Sequence, residues 1–242
     1  MAQQPMPAET AGGRKRGRGR PPSLRPEAIV DTAFDLVMRE GTAALSMRRL
    51  GEELGVDGTA VYRHFRDKDD LMLAVNDRVA AWVVEEARRR TDDDASWQDV
   101  LRTFAACSWE SATRFPSVIA LALGRTTGER AEREIVELLI STIARSGLSA
   151  TQATLAYRAF ADTLLGLTGM QALVLDLPPA LREKDDSAWS RVYALLPHET
   201  YPATQEHAAE LLGIEEEDVF TEAVELMIAA IEARAAAPAP PM

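Results

Sequence analysis

The sequence predicts an all-α chain, with a three-helix helix-turn-helix unit near the N-terminus and a larger helical region after it. Three observations lead there. Apolar residues recur three and four apart over most of the chain, and no credible alternating strand pattern interrupts them. Helix starts in the first third are marked by Pro, Ser or Asp, and helix stops by Gly. The 242 residues, 46% of them hydrophobic, are enough to bury a sizeable core. Composition divides the chain into an arm over 1–24, a helix-turn-helix domain over 25–72, a helical domain over 73–236 and a tail over 237–242.

The arm is rich in Pro, Gly, Gln and Arg, with too few large apolar side chains to offset the entropy of ordering, so it is expected to be disordered alone. The first helix should run over about 26–40, with Pro26 in its first turn, Ile29, Ala33 and Val37 on one face, and Gly41 as its stop. Ser46 should cap a second helix in which Met47, Leu50 and Leu54 face inward and Gly55 ends the run. Asp57 should cap a third helix through Phe65, with Val61 and Phe65 inward and Thr59 and Arg63 outward. Asp67 should open a fourth, longer helix reaching Arg90.

Beyond TDDDAS, helical periodicity returns at about 97–115, 117–124, 128–146, 149–175 and 216–234. The breaks fall at Phe115-Pro116, Gly124, Gly147 and a DLPPALREKDD loop. Short helices are expected near Trp189 and over Thr204–Leu212, and AAAPAPPM should fray.

The net charge of -11 disguises a strong asymmetry. The stretch GRKRGRGRPPSLR holds Arg14, Lys15, Arg16, Arg18, Arg20 and Arg25 and no acid, whereas the chain after Leu71 is heavily acidic. Phosphate would attract the first and repel the second, which orients the molecule end-on to DNA. The N-terminus lacks a signal pattern, no run of about 18 apolar residues is present, and Cys107 is the single cysteine. A cytoplasmic, nucleoid-associated address without membrane contact is therefore expected. His64 has no second ligand in a competent position, Asp92, Asp93 and Asp94 lack calcium-loop spacing, and His198 and His207 have no nucleophile nearby. No cofactor, metal or catalytic set is expected.

A four-residue turn, Gly55 to Gly58, joins the second and third helices, the dimensions of a unit that lays its third helix in the major groove. The starts of the helices after Ser46, Asp57 and Asp67 can all hold phosphate oxygens. The stretch SMRRLGEELGVDGTAVYRHFRDKDDL resembles the DNA-binding domain of TetR-type transcriptional repressors over about residues 26–75, with Tyr62, His64, Phe65 and Lys68 in the signature positions. A weaker resemblance joins YPATQEHAAELLGIEEEDVFTEAVELMIAAIEAR to the closing segment of the tetracycline-repressor subgroup.

The resemblance implies that Arg48 enters the major groove or holds phosphate, that Thr59 and Ala60 face base edges, and that Tyr62, His64 and Lys68 bond phosphates. Gly58 stands where a longer side chain is common, so one base reader is missing and Arg63 is its expected substitute. Arg49 is expected on the surface or in an ion pair. In the arm, GRGRPP resembles an AT-hook core, with Arg18 and Arg20 the residues for a narrow minor groove.

An effector pocket is expected between the middle helices, drawn from Phe104, Cys107, Trp109, Phe115, Tyr157, Phe160, Thr168, Met170 and Gln171, for a small apolar or amphipathic effector. Each of these side chains can equally be core. For dimerisation, Ala153, Ala156, Gly166 and Gly169 permit close helix approach, while Val224, Met227, Ile228 and Ile231 form a stripe that can also bury against its own chain. The resemblance implies a homodimer built on a four-helix bundle. The expected function is a homodimeric repressor, released from a palindromic double-stranded DNA operator by a small effector. The alternative is a constitutive AT-rich architectural binder without effector.

Overall fold

The computed structural model describes residues 24–122 and 124–237. Helix α1 (Pro26–Glu40) starts on a proline preceded by extended Arg25, and it ends at Gly41, whose φ of 77° is open to glycine without a Cβ penalty. The Gly41 N–H donates to the Val37 carbonyl at 2.8 Å, and a 3-10 turn over Thr42–Ala44 leads on. In α2 (Met47–Leu54), Ser46 Oγ accepts from the Arg49 N–H at 3.1 Å, a cap worth about 1 kcal/mol. Left-handed Gly55 terminates it. Asp57 caps α3 (Gly58–Val61), and Asp67 caps α4 (Lys68–Arg90), each carboxylate accepting a backbone N–H at 2.8 Å.

The third helix is shorter than expected, stopping at Val61 rather than Phe65. The N–H groups of Arg63 and His64 reach only three residues back, to Ala60 and Val61 at 3.4 and 3.0 Å, so the chain tightens into a turn before Asp67.

The larger region consists of α5 (Trp97–Arg114), α6 (Pro116–Ala122), α7 (Arg130–Ala144), α8 (Ala150–Leu175), α9 (Pro179–Arg191), α10 (Pro202–Glu206), α11 (Ala208–Leu212) and α12 (Glu216–Ala236). A capping box between Ser149 and Gln152 opens α8. The expected DLPPALREKDD loop is instead mostly helix. Pro179 occupies the first position of α9, where its missing N–H costs nothing, and ALREK then supplies strong helix formers. The described residues contain no strand, and no single helix among them is long and apolar enough to cross a membrane.

Two hydrophobic clusters organise the packing. The first joins Ile29, Ala33 and Leu36 of α1, Met47 and Leu50 of α2, Val61 of α3 and Leu71 and Val75 of α4, with Val118 of α6. The second joins Val83 and Ala87 of α4 to Leu101 and Phe104 of α5, Leu139 and Ile143 of α7, Phe160 and Leu164 of α8, and Phe220 and Ile228 of α12. Each fully buried Leu, Ile or Phe contributes roughly 1.5–3 kcal/mol relative to exposure. Helix α4 serves both, so the boundary expected at 72–73 falls inside one continuous helix. Trp82 packs against both clusters, and Phe115 meets Phe34 and Trp82 edge-on, with ring centroids 5.4 and 5.5 Å apart.

Candidate nucleic-acid interface and effector pocket

The α2–α3 unit is held by an unusually close approach. A Cβ built on Gly51 would lie 2.9 Å from the Gly58 Cα and N and 3.0 Å from the Val56 carbonyl. One on Gly58 would lie 3.3 Å from the Met47 carbonyl and 3.4 Å from the Arg48 Cα. Gly58, expected only as a lost base reader, is therefore a contact point between the two helices. Gly51 was not anticipated as a structural residue, and its signal was a glycine inside an amphipathic helix, where it costs about 1 kcal/mol against Ala.

The outward face of this unit carries most of the expected DNA-binding residues. Ser46, Arg48, Thr59, Tyr62, Arg63, His64 and Lys68 are exposed, Ala60 is half-buried, and Arg18 and Arg20 lie outside the described residues. The Arg48 side chain is 81% exposed and pairs with Glu52 one turn on. Lys68 Nζ donates to the Thr42 carbonyl at 3.2 Å, fastening the start of α4 to the turn before α2. Arg49 is an ion-pair residue, bonding Glu40 at 3.1 Å and Glu53 at 2.8 Å. Arg39, with Arg49 behind it, holds the Glu40 carboxyl below its ordinary range, and the Thr59 N–H does the same for Asp57. No cluster of three His, Cys, Asp or Glu able to hold a metal occurs among the described residues.

In the larger region two hollows are open. One, of 430 Å³, lies between the end of α4, the start of α5 and α7, with Arg88, Asp92, Asp93, Ser141 and Arg145 on its walls. The other, of 230 Å³, lies among α5, α8, α9 and α12 and is lined by Trp109, Leu167, Met170, Gln171, Val174, Asp185, Asp186, Trp189, Glu216, Val219 and Phe220. Its aromatic walls with a few polar groups have the character of a small-molecule site, although the first is larger. Trp109 stacks on Phe220 with ring centroids 4.7 Å apart.

Three of the expected pocket residues, Trp109, Met170 and Gln171, come together here. The others do not. Phe104, Cys107 and Phe160 are core, Tyr157 packs against that core, and Thr168 is buried with its hydroxyl donating to the Leu164 carbonyl at 2.7 Å. Phe115 sits in the N-terminal cluster instead. Asp185, Asp186, Trp189, Glu216 and Val219 are not among the expected pocket residues, because the first part of α9 was expected as loop and nothing in a linear sequence places α9 beside α12.

The expected dimer residues also need correction. Ala153, Ala156, Val224, Ile228 and Ile231 are at most 5% exposed and are packed inside their own chain, with Met227 and Gly169 largely covered too. The outward faces of the same helices carry Leu155, Leu165 and Leu226, at 62, 42 and 61% exposure, together with exposed Gly166, Ala229 and Ala230. The inward stripe was recognisable from periodicity, but which side of it faced the chain's own core was not.

Two family profiles match the chain: bacterial regulatory proteins of the tetR family over residues 29–75, and the tetracyclin repressor-like C-terminal domain over residues 91–235. An HTH-type transcriptional repressor of Mycobacterium tuberculosis is 32% identical over 187 residues, covering 75% of this chain and 67% of that protein. A TetR transcriptional regulator of Streptomyces coelicolor has a similar structure, with a TM-score of 0.73 at 26% identity over 87% of this chain and 99% of that one. ActR of the same species, solved in complex with actinorhodin, shares the fold with a TM-score of 0.75 at 20% identity, over 88% of this chain and 97% of that one.

Proposed function

We propose, for a chain that belongs to the tetR family of bacterial regulatory proteins, that it acts as a homodimeric repressor released from a palindromic operator by a small-molecule effector. The family makes it a DNA-binding transcriptional regulator. The observation that carries the finer reading is α4, which begins beside the exposed face of α2 and α3 and ends in the second core cluster, the one that also holds Trp109 and Phe220 of the 230 Å³ hollow. A rigid helix shared by two cores transmits a change in one to the position of the other.

In this reading Arg48, Thr59 and Ala60 approach base edges, with Arg63 beside them, while Ser46, Tyr62, His64 and Lys68 hold the backbone. Exposed Leu155, Leu165 and Leu226 support the second copy, whose head meets the next major groove about 34–36 Å away. An effector that binds better to a head-spread conformation shifts the population off DNA, and DNA weakens the effector by the same factor. ActR with actinorhodin bound supports a ligand-responsive reading of the larger region. The arm, through Arg18 and Arg20, adds minor-groove contact.

The test is selection of genomic fragments by the purified protein, followed by anisotropy titration of the shared site with Arg48→Ala and Tyr62→Ala. Arg48→Ala should cost roughly 1–3 kcal/mol of operator affinity at unchanged melting temperature. Unchanged affinity in both variants would sink the docking arrangement, and diffuse A·T-rich binding abolished by salt would favour the architectural alternative.

A further inference from the structure

The hollow among α5, α8, α9 and α12 has an electrostatic character that an apolar or amphipathic effector leaves unexplained. Trp109, Trp189 and Phe220 supply aromatic walls, and Asp185, Asp186 and Glu216 supply carboxylates. Among the described residues lining it there is no Lys or Arg. None of the three carboxylates has an ion-pair partner among the described residues. Of the three cations of α9, Arg182 donates to the Leu175 carbonyl at 3.3 Å, Arg191 donates to Ser187 Oγ at 2.9 Å and the Lys184 carbonyl at 3.1 Å, and the Lys184 side chain does not line the hollow.

We propose that this site selects a positively charged aromatic small molecule, its ring against the indole and phenyl walls and its charge toward Asp185, Asp186 and Glu216. The inference rests on the effector reading above. A cation gains from the negative faces of aromatic rings and from the uncompensated carboxylates together, whereas an anionic ligand meets three like charges with no counter-charge on the walls. Selectivity here is as much exclusion of acids as attraction of cations.

The experiment uses the full chain and two probes of one shape: thioflavin T, a permanent aromatic monocation, and its uncharged parent, which lacks only the ring N-methyl group. Calorimetric titration should give thioflavin T roughly tenfold tighter binding than the parent, as cation–π contact reinforced by carboxylates implies. In the triple variant Asp185→Asn, Asp186→Asn, Glu216→Gln that preference should vanish while parent binding persists, which also reports that the pocket is intact. Equal binding of both probes, or tighter binding of the parent, overturns the cation inference and leaves the effector site standing. Preferred cation binding that leaves a labelled operator complex undisturbed supports the site and defeats the effector reading. Failure of both probes to bind overturns both.

Discussion

The Arg48 guanidinium, 81% exposed on the outward face of the α2–α3 unit, is ion-paired with Glu52. In the proposed DNA-bound state, phosphate would have to take this guanidinium from a carboxylate on the same helix, so the pair would temper affinity for any polyanion. Cys107 is the opposite case, a titratable group with no solvent access. Burial pushes its thiol up, against the pull of Arg90, and the thiolate is the reactive form. A thiol reagent at pH 8 should therefore label the folded chain on the order of 100-fold more slowly than the denatured one. Rapid labelling of the folded chain would mean that α5 opens locally. By sequence Cys107 suits a pocket wall or a core position, and the packing of α5 against its neighbours places it in the core.

At the scale of elements, α2 and α3 touch backbone to backbone at Gly51 and Gly58. Two effects oppose in Gly51→Ala: helix propensity gains about 1 kcal/mol, while a methyl at 2.9 Å from backbone atoms forces overpacking that typically costs about 1–3 kcal/mol. Backbone cannot rotate aside as a side chain does, so the steric effect should win. The denaturation midpoint should fall, and operator affinity should fall further because α3 is displaced; a raised midpoint would show that the helices have room. Caps and stops at Pro26, Gly41, Ser46, Gly55, Asp57 and Asp67 were legible because each acts through bonds within a few residues of itself. The end of α3 was not, because its closing turn depends on how the chain must reach Asp67.

At the scale of the whole molecule, the two regions are linked by more than α4. The Arg125 guanidinium grips the Asp69 carboxylate through two bonds at 2.9 and 2.8 Å, tying the start of α4 to the connection between α6 and α7. Asp77 accepts the Ala131 N–H at 3.0 Å and so caps α7 from α4. The Arg125 bond holds the Asp69 carboxyl below its ordinary range. A depressed carboxylate stabilises the fold above its unfolded pKa of about 3.9, and that contribution is lost as pH falls through the lower folded value. The Asp69 carboxyl carbon should thus titrate below the ordinary midpoint and return to it in Arg125→Ala. The melting-temperature gap between the two proteins, small because the pair is exposed, should close as pH drops below about 3.9. A gap independent of pH would assign it to lost packing. By itself the sequence determined the all-α class, the starts of the first four helices and the approximate spans of α5 to α8 and α12, since periodicity, caps and turn glycines act over one or two turns of chain. Only the tertiary structure decided that Val224 and Ile228 face inward while Leu226 faces out, that Phe115 belongs to the N-terminal cluster, and that α9 brings Asp185, Asp186 and Trp189 beside Glu216. Those are contacts between segments far apart in sequence, and an amphipathic helix fixes its apolar stripe without fixing which neighbour will cover it.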